Sequence, residues 1–158
     1  MSRPPVAAGT YGSALRALVV GTDGRYHERA HAVIGELGSV SFAVTEPTDP
    51  EAVAMLACHE HADVVVLDAT GCEAAVAGVV AALASAAPQL GVVVVCEHLT
   101  DAARALDALP KWGWMRDLRV AVERARVHGS PLLSPPGARL RAERRDLRAV
   151  APSSLARR

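Results

Sequence analysis

Apolar positions along this chain follow two rhythms that alternate. Unbroken apolar runs recur: ALRALVV at 14–20, VSFAV at 40–44, DVVVLD at 63–68 and GVVVVC at 91–96. Between them apolar residues return every three or four positions, the spacing of one helical face. Tyr26, Ala30, Val33, Ile34 and Leu37 make one such set, with Gly38 placed to close the helix. A second helix is expected to open at Asp49-Pro50, because Asp accepts from free amides at a helix start and Pro suits the first helical position. A third covers 72–86, with Val76, Val79, Val80 and Leu83 on one face. A last one carries Leu118, Ala121, Val122 and Ala125.

The strand-like runs do not alternate with polar residues, so both faces of each strand are expected to be buried. That is the habit of parallel sheets covered by helices on both sides. Strand, helix, strand with short links gives right-handed crossovers and a doubly wound α/β sheet. Ligands and chemistry in such sheets sit beyond the carboxyl ends of the strands. Here those ends are Gly21-Thr22-Asp23, Asp68-Ala69-Thr70, Cys96-Glu97 and the region of Lys111.

Composition narrows the function. The 158 residues suit one ordinary domain that can bury a core unaided. Only Tyr11, Tyr26, Phe42, Trp112 and Trp114 are aromatic, too few for a base-stacking nucleic-acid platform. No 7–15-residue apolar stretch of a signal peptide opens the chain, and no run reaches the roughly 20 residues of a membrane span. Three scattered cysteines, Cys58, Cys72 and Cys96, fit a reducing cytoplasm. Charge is uneven: residues 1–128 hold 10 Lys/Arg against 15 Asp/Glu, and residues 129–158 hold 7 Arg against 2 acids. The expected division is therefore a disordered lead (1–13), an acidic domain (14–128) and a basic linker or tail (129–158). The tail has room for a short helix over 138–149, where Leu140 and Leu147 lie a heptad apart.

On these residues the chain resembles the receiver domains of bacterial response regulators over roughly 15–127. ALVVGTDGRYHERAHAVIGEL resembles a receiver's first strand and helix, ADVVVLDAT its third strand, and LPKWGWMRDL the end of its fifth strand. VERARVHGSPLLSPPGARL resembles the linker of the LuxR-like class, and no helix-turn-helix output domain is expected after it. The resemblance implies a five-stranded parallel sheet of order 2-1-3-4-5. It places Asp68 at the phosphoacceptor position and Lys111 at the invariant lysine. It also implies departures. Two acids that hold Mg²⁺ are replaced by Gly21-Thr22, leaving Asp23 one place on. Cys96 stands where a Thr or Ser senses the phosphoryl group. With only 14 residues between Cys96 and Lys111, the fourth helix is expected to be short.

The expected regulatory site is therefore Asp68 with Asp23, Cys96 and Lys111. Asp68 is expected to pair with Lys111, and no resident cofactor is expected beyond a weak Mg²⁺ option at Asp23/Asp68. Rival chemistry is thin. Cys58-His59-Glu60-His61 and the i,i+4 pair His27/His31 hold metal-ligand types, but neither has a second half, and solvated helix positions are expected for both. Gly21-Thr22-Asp23-Gly24 falls short of a phosphate loop. The function expected is a stand-alone, atypical response regulator, not an enzyme, working through protein contacts in transcriptional control. A phosphorylatable receiver using Asp68 and a small nucleotide-binding enzyme are the alternatives. Of Trp112 and Trp114, one is expected in the core and one exposed, at the face of a homodimer or of another signalling or transcription protein. The arginine-rich tail is a candidate for weak nucleic-acid contact.

Overall fold

The computed structural model describes residues 14–128. The expected lead (1–13) and basic tail (129–158), with Leu140 and Leu147, lie outside the described residues. Strand and helix alternate throughout: β1 (Leu15–Val20), α1 (Gly24–Ile34), β2 (Gly38–Ala43), α2 (Pro50–His59), β3 (Val64–Asp68), α3 (Glu73–Ala86), β4 (Gly91–Cys96), α4 (Asp101–Ala105), β5 (Leu109–Pro110) and α5 (Met115–His128). The five strands pair in parallel in the order β2-β1-β3-β4-β5.

Every residue of β3 and β4 is buried. Alternate side chains of a strand point to opposite faces, and the core divides accordingly. Leu18, Val20, Val65, Leu67, Val92 and Val94 pack against Val53 and Ala57 of α2 and Val76, Val79, Val80 and Leu83 of α3. Ala17, Val19, Val64, Val66, Val93 and Val95 pack against Tyr26, Ala30 and Ile34 of α1 and Leu118, Val122 and Ala125 of α5. Asp49 caps α2 by accepting from the amides of Glu51 and Ala52. As expected, α4 is short, at five residues. Among the described residues no helix is long and apolar enough to cross a membrane.

Two expectations are corrected. Gly38 is not a helix cap but the first residue of β2, beside Leu15 of β1. A Cβ at Gly38 would lie 2.0 Å from the Leu15 carbonyl oxygen, so the close strand entry requires glycine. α1 instead ends at Gly35, whose amide donates to the His31 carbonyl. His27 is not on a solvated face. Tyr26, His27, Ala30, Val33 and Ile34 form the buried side of α1, and the His27 ring stacks on Phe42 of β2 at 5.0 Å. Its Nε2 has no hydrogen-bond partner among the described residues. His31, four residues on, meets the same Phe42 ring edge-on at 6.1 Å.

Candidate functional site

Three strand ends converge where β1, β3 and β5 finish. β1 is followed by Gly21, Thr22 and Asp23, which is the N-cap of α1. One carboxylate oxygen of Asp23 accepts from the Arg25 amide at 3.0 Å, leaving the other free to turn inward. Asp68 is the last residue of β3 and is 6% exposed. Lys111 follows β5, and its amide donates to the Cys96 carbonyl at 2.9 Å, which ties it to the end of β4.

The Lys111 ammonium lies 2.8 Å from Asp23 Oδ2 and 2.8 Å from Asp68 Oδ2. The Lys111 and Asp68 side chains are almost wholly buried, and that of Asp23 is about a third exposed. The other oxygen of Asp68 accepts from the Thr70 amide at 3.1 Å and the Thr70 hydroxyl at 2.6 Å. Thr70 Oγ1 in turn accepts from the Glu97 amide. Both oxygens of Asp68 are thus engaged by donors. Burial alone would lower the Lys111 pKa, but hydrogen bonds to Asp23 and Asp68 outweigh it and hold the ammonium above its ordinary range. The hydrogen bond from Lys111 holds the Asp23 carboxyl below its ordinary range against a smaller opposing effect of burial.

The neighbours complete the frame. Cys96 is buried at the end of β4, with Sγ 3.2 Å from Glu73 Oε1 and 3.0 Å from the His98 carbonyl oxygen. Burial, then the Glu73 carboxylate, pushes the Cys96 thiol up, away from the thiolate that reacts. Burial, with the nearby Asp68 charge, likewise raises the Tyr26 hydroxyl. At Gly21 a Cβ would stand 2.8 Å from the Asp68 Cβ, so Asp68 packs directly on a bare backbone.

This geometry tests the option of Mg²⁺, which wants an octahedron of oxygens including one or two carboxylates. The two candidate carboxylates are bridged by an ammonium, Gly21 has no room for a ligand side chain, and Thr22 is exposed and neutral. The residues do not fit the ion.

The four expected site residues, Asp23, Asp68, Cys96 and Lys111, do come together at one end of the sheet. The tryptophans differ from expectation, since neither is in the core: Trp112 is 44% and Trp114 83% exposed. Tyr26 fills the space beneath Trp112, meeting its ring edge-on at 6.0 Å. Arg29 and Lys111 approach the same ring at 5.8 and 5.4 Å. The intervening turn, closed by the Gly113 amide on the Pro110 carbonyl and by Arg29 donating to the Gly113 carbonyl, carries Trp114 outward. The Cys58–His61 segment lies at the opposite end of the sheet, where Glu60 accepts from Ser41 Oγ at 2.8 Å. Sequence reasoning did not single out Thr70 or Glu73. For Thr70 a local signal existed: an Asp that ends a strand often accepts from the backbone two residues on.

No protein-family profile and no curated protein matches the chain. Solved structures do. A CheY-like protein, TadZ, from Pseudomonas aeruginosa PAO1 aligns over 70% of this chain and 98% of its own, at 18% identity and a TM-score of 0.58. The chain has the receiver fold. The non-phosphorylated receiver domain of the stress response regulator RcsB from Escherichia coli aligns over 75% of this chain and 99% of its own, at 13% identity and TM-score 0.55. The BeF3-activated DrrB receiver domain aligns over 71% and 97%, at 19% identity and TM-score 0.53. At these identities the likeness concerns the fold. On this receiver frame, β1, β3 and β5 bring Asp23, Asp68 and Lys111 to one point.

Proposed function

We propose that this receiver-like domain is an atypical response-regulator module that signals by protein contact, independently of phosphorylation and without enzymatic turnover. One observation carries the reading: a single buried ammonium sits 2.8 Å from both Asp23 and Asp68. A carboxylate attacks a phosphoryl donor only where incoming negative charge is neutralised, commonly by a metal bridging the oxygens. Here Asp23 and one oxygen of Asp68 are both spent on Lys111, and the other oxygen of Asp68 is held by Thr70. The contact face is the turn after β5, where Trp112 and Trp114 with Met115 expose apolar surface. Exposed aromatics of this kind commonly anchor protein interfaces, and we assign them to a homodimer, with another signalling or transcription protein as the downstream partner.

Incubation with acetyl phosphate and Mg²⁺, followed by intact mass, tests the first half, and no stoichiometric adduct is expected. A full adduct that disappears in Asp68→Asn would overturn it in favour of a working phosphoacceptor. Light scattering tests the second half. A dimer that Trp114→Ala splits is expected, and a monomer at tens of micromolar would refute the assignment. A large thermal shift with a nucleotide would point instead to a nucleotide-using enzyme.

A further inference from the structure

Of the two edges of the sheet, β2 is the one opposite β5 and the tryptophan turn. On its inner side the Leu37 carbonyl accepts from the Leu15 amide and the Ala43 carbonyl from the Gly21 amide. Alternate residues of a strand bond to the same side. Residues 37, 39, 41 and 43 therefore spend their backbone groups on β1, and the N–H and C=O of Val40 and Phe42 point outward. No described strand pairs with that outer side.

Edge strands are commonly blunted by charge, proline or a bulge. Residues 37–45 carry no charge and no proline, and all six residues of β2 run in unbroken register beside β1. The side chains divide by face. Val40 and Phe42 lie on the α1 face, where the Phe42 ring is held by His27, stacked at 5.0 Å, and by His31 edge-on. That ring is still 41% exposed, and Val44, just beyond it, is 75% exposed. Ser39 and Ser41 lie on the α2 face, where the Ser41 hydroxyl donates to Glu60. Glu60 has no cationic partner among the described residues.

We propose, on the basis of the protein-contact role above, that the downstream partner docks on this edge by strand addition. An extended segment of the partner pairs with the outward backbone of Val40 and Phe42. Its apolar side chains cover Phe42 and Val44, and a basic side chain on its other face meets Glu60. Main-chain hydrogen bonds give such docking its affinity, and alternate side chains select the partner. A second copy of this chain is a poorer occupant. Two β2 edges paired antiparallel about Ser41 would set Ser41 against Ser41 and bring together the two Glu60 carboxylates bound to them, and opposed like charges are destabilising.

The test uses the full chain and a synthetic peptide, acetyl-TVKVKVS-amide, whose valines and lysines fall on opposite faces. Titration into isotope-labelled protein is followed by NMR, and amide shifts are expected to centre on Val40, Phe42 and Val44. Affinity should fall about tenfold in Phe42→Ala, equivalent to about 1.4 kcal/mol. A preference of about fivefold over acetyl-TVEVEVS-amide is expected, and it should vanish in Glu60→Gln. N-methylation reads the backbone directly. Only alternate residues of the added strand bond to β2, so methylating one set, the valines or the lysines, should abolish binding while methylating the other leaves it intact. No binding, equal effects of the two sets, or shifts centred elsewhere would overturn the proposal. So would protection of the Val40 and Phe42 amides from hydrogen exchange in the free protein, which would mean that the edge is already paired. These variants leave Asp68 and the tryptophan turn unchanged, so the phosphorylation and light-scattering outcomes stand or fall separately.

Discussion

Replacing Lys111 by Met removes the charge that two carboxylates share while leaving a chain of similar length in the space. Asp68 is 6% exposed and becomes a buried anion with Thr70 as its remaining donor. Removing one partner of a buried pair typically costs about 3–5 kcal/mol.

The expected loss for Lys111→Met is about 3–4 kcal/mol at pH 7. Parent and variant are compared by urea unfolding, followed by far-UV circular dichroism. Adding Asp68→Asn to Lys111→Met should recover a good part of the loss, since the second change removes the stranded charge. A loss under about 1 kcal/mol at pH 7, or one that Asp68→Asn does not reduce, would refute the view that Lys111 is the counter-ion of a buried acid.

Three further outcomes follow. Gly21→Ala should cost about 1–3 kcal/mol, because the new methyl meets the Asp68 Cβ 2.8 Å away; an unchanged melting temperature would show that the contact is slack. His27→Phe should stabilise by about 1 kcal/mol, since it keeps a ring on Phe42 and removes a buried, unpartnered nitrogen; a lower denaturation midpoint would count against this. The ion triad should give stability that is flat between about pH 5 and 9. The contribution of the lowered Asp23 is present above its unfolded value and fades as pH falls through the folded one, and that of the raised Lys111 is present below its unfolded value and fades as pH rises through the folded one. Melting temperatures across pH should show a shallower acid limb in Asp23→Asn, and identical limbs would remove Asp23 from the account.

Much of this frame was legible because strands buried on both faces leave an unmistakable record. VVVLD and GVVVVC have no polar alternation, and the structure buries every residue of β3 and β4. The meeting of Asp68 and Lys111 was legible by another route: β5 is only two residues and is not buried, and Lys111 was placed by the resemblance of LPKWGWMRDL to the end of a receiver's fifth strand. The failures share a cause too: each depends on a contact between elements distant in sequence. Gly38 reads as a helix stop until Leu15 is laid beside it. His27 reads as polar surface until Phe42 provides a partner ring. One of Trp112 and Trp114 reads as core until Tyr26 takes the space beside Trp112. The double duty of Asp23, one oxygen capping α1 and the other holding Lys111, was equally hidden, because the cap depends on where α1 starts and the ion pair on where β5 ends.

Gly21, the neutral Thr22 and the inward turn of Asp23 form one arrangement. A side chain at Gly21 would push into Asp68, so the glycine lets Asp68 sit against β1, next to the loop that carries Asp23. Two carboxylates so close need a cation between them, and Lys111 supplies one from within the chain. A tethered ammonium differs from a divalent ion in one decisive respect. It does not exchange with solvent, and its raised pKa keeps it charged through the neutral range. A site neutralised in this way gives the domain a fixed internal structure with no ion to gain or lose. On the proposed reading, what changes the state of this module must then reach it at the surface. The largest exposed ring there, Trp114, stands three residues from the lysine that holds the site together, and the half-exposed Trp112 ring lies 5.4 Å from the ammonium itself.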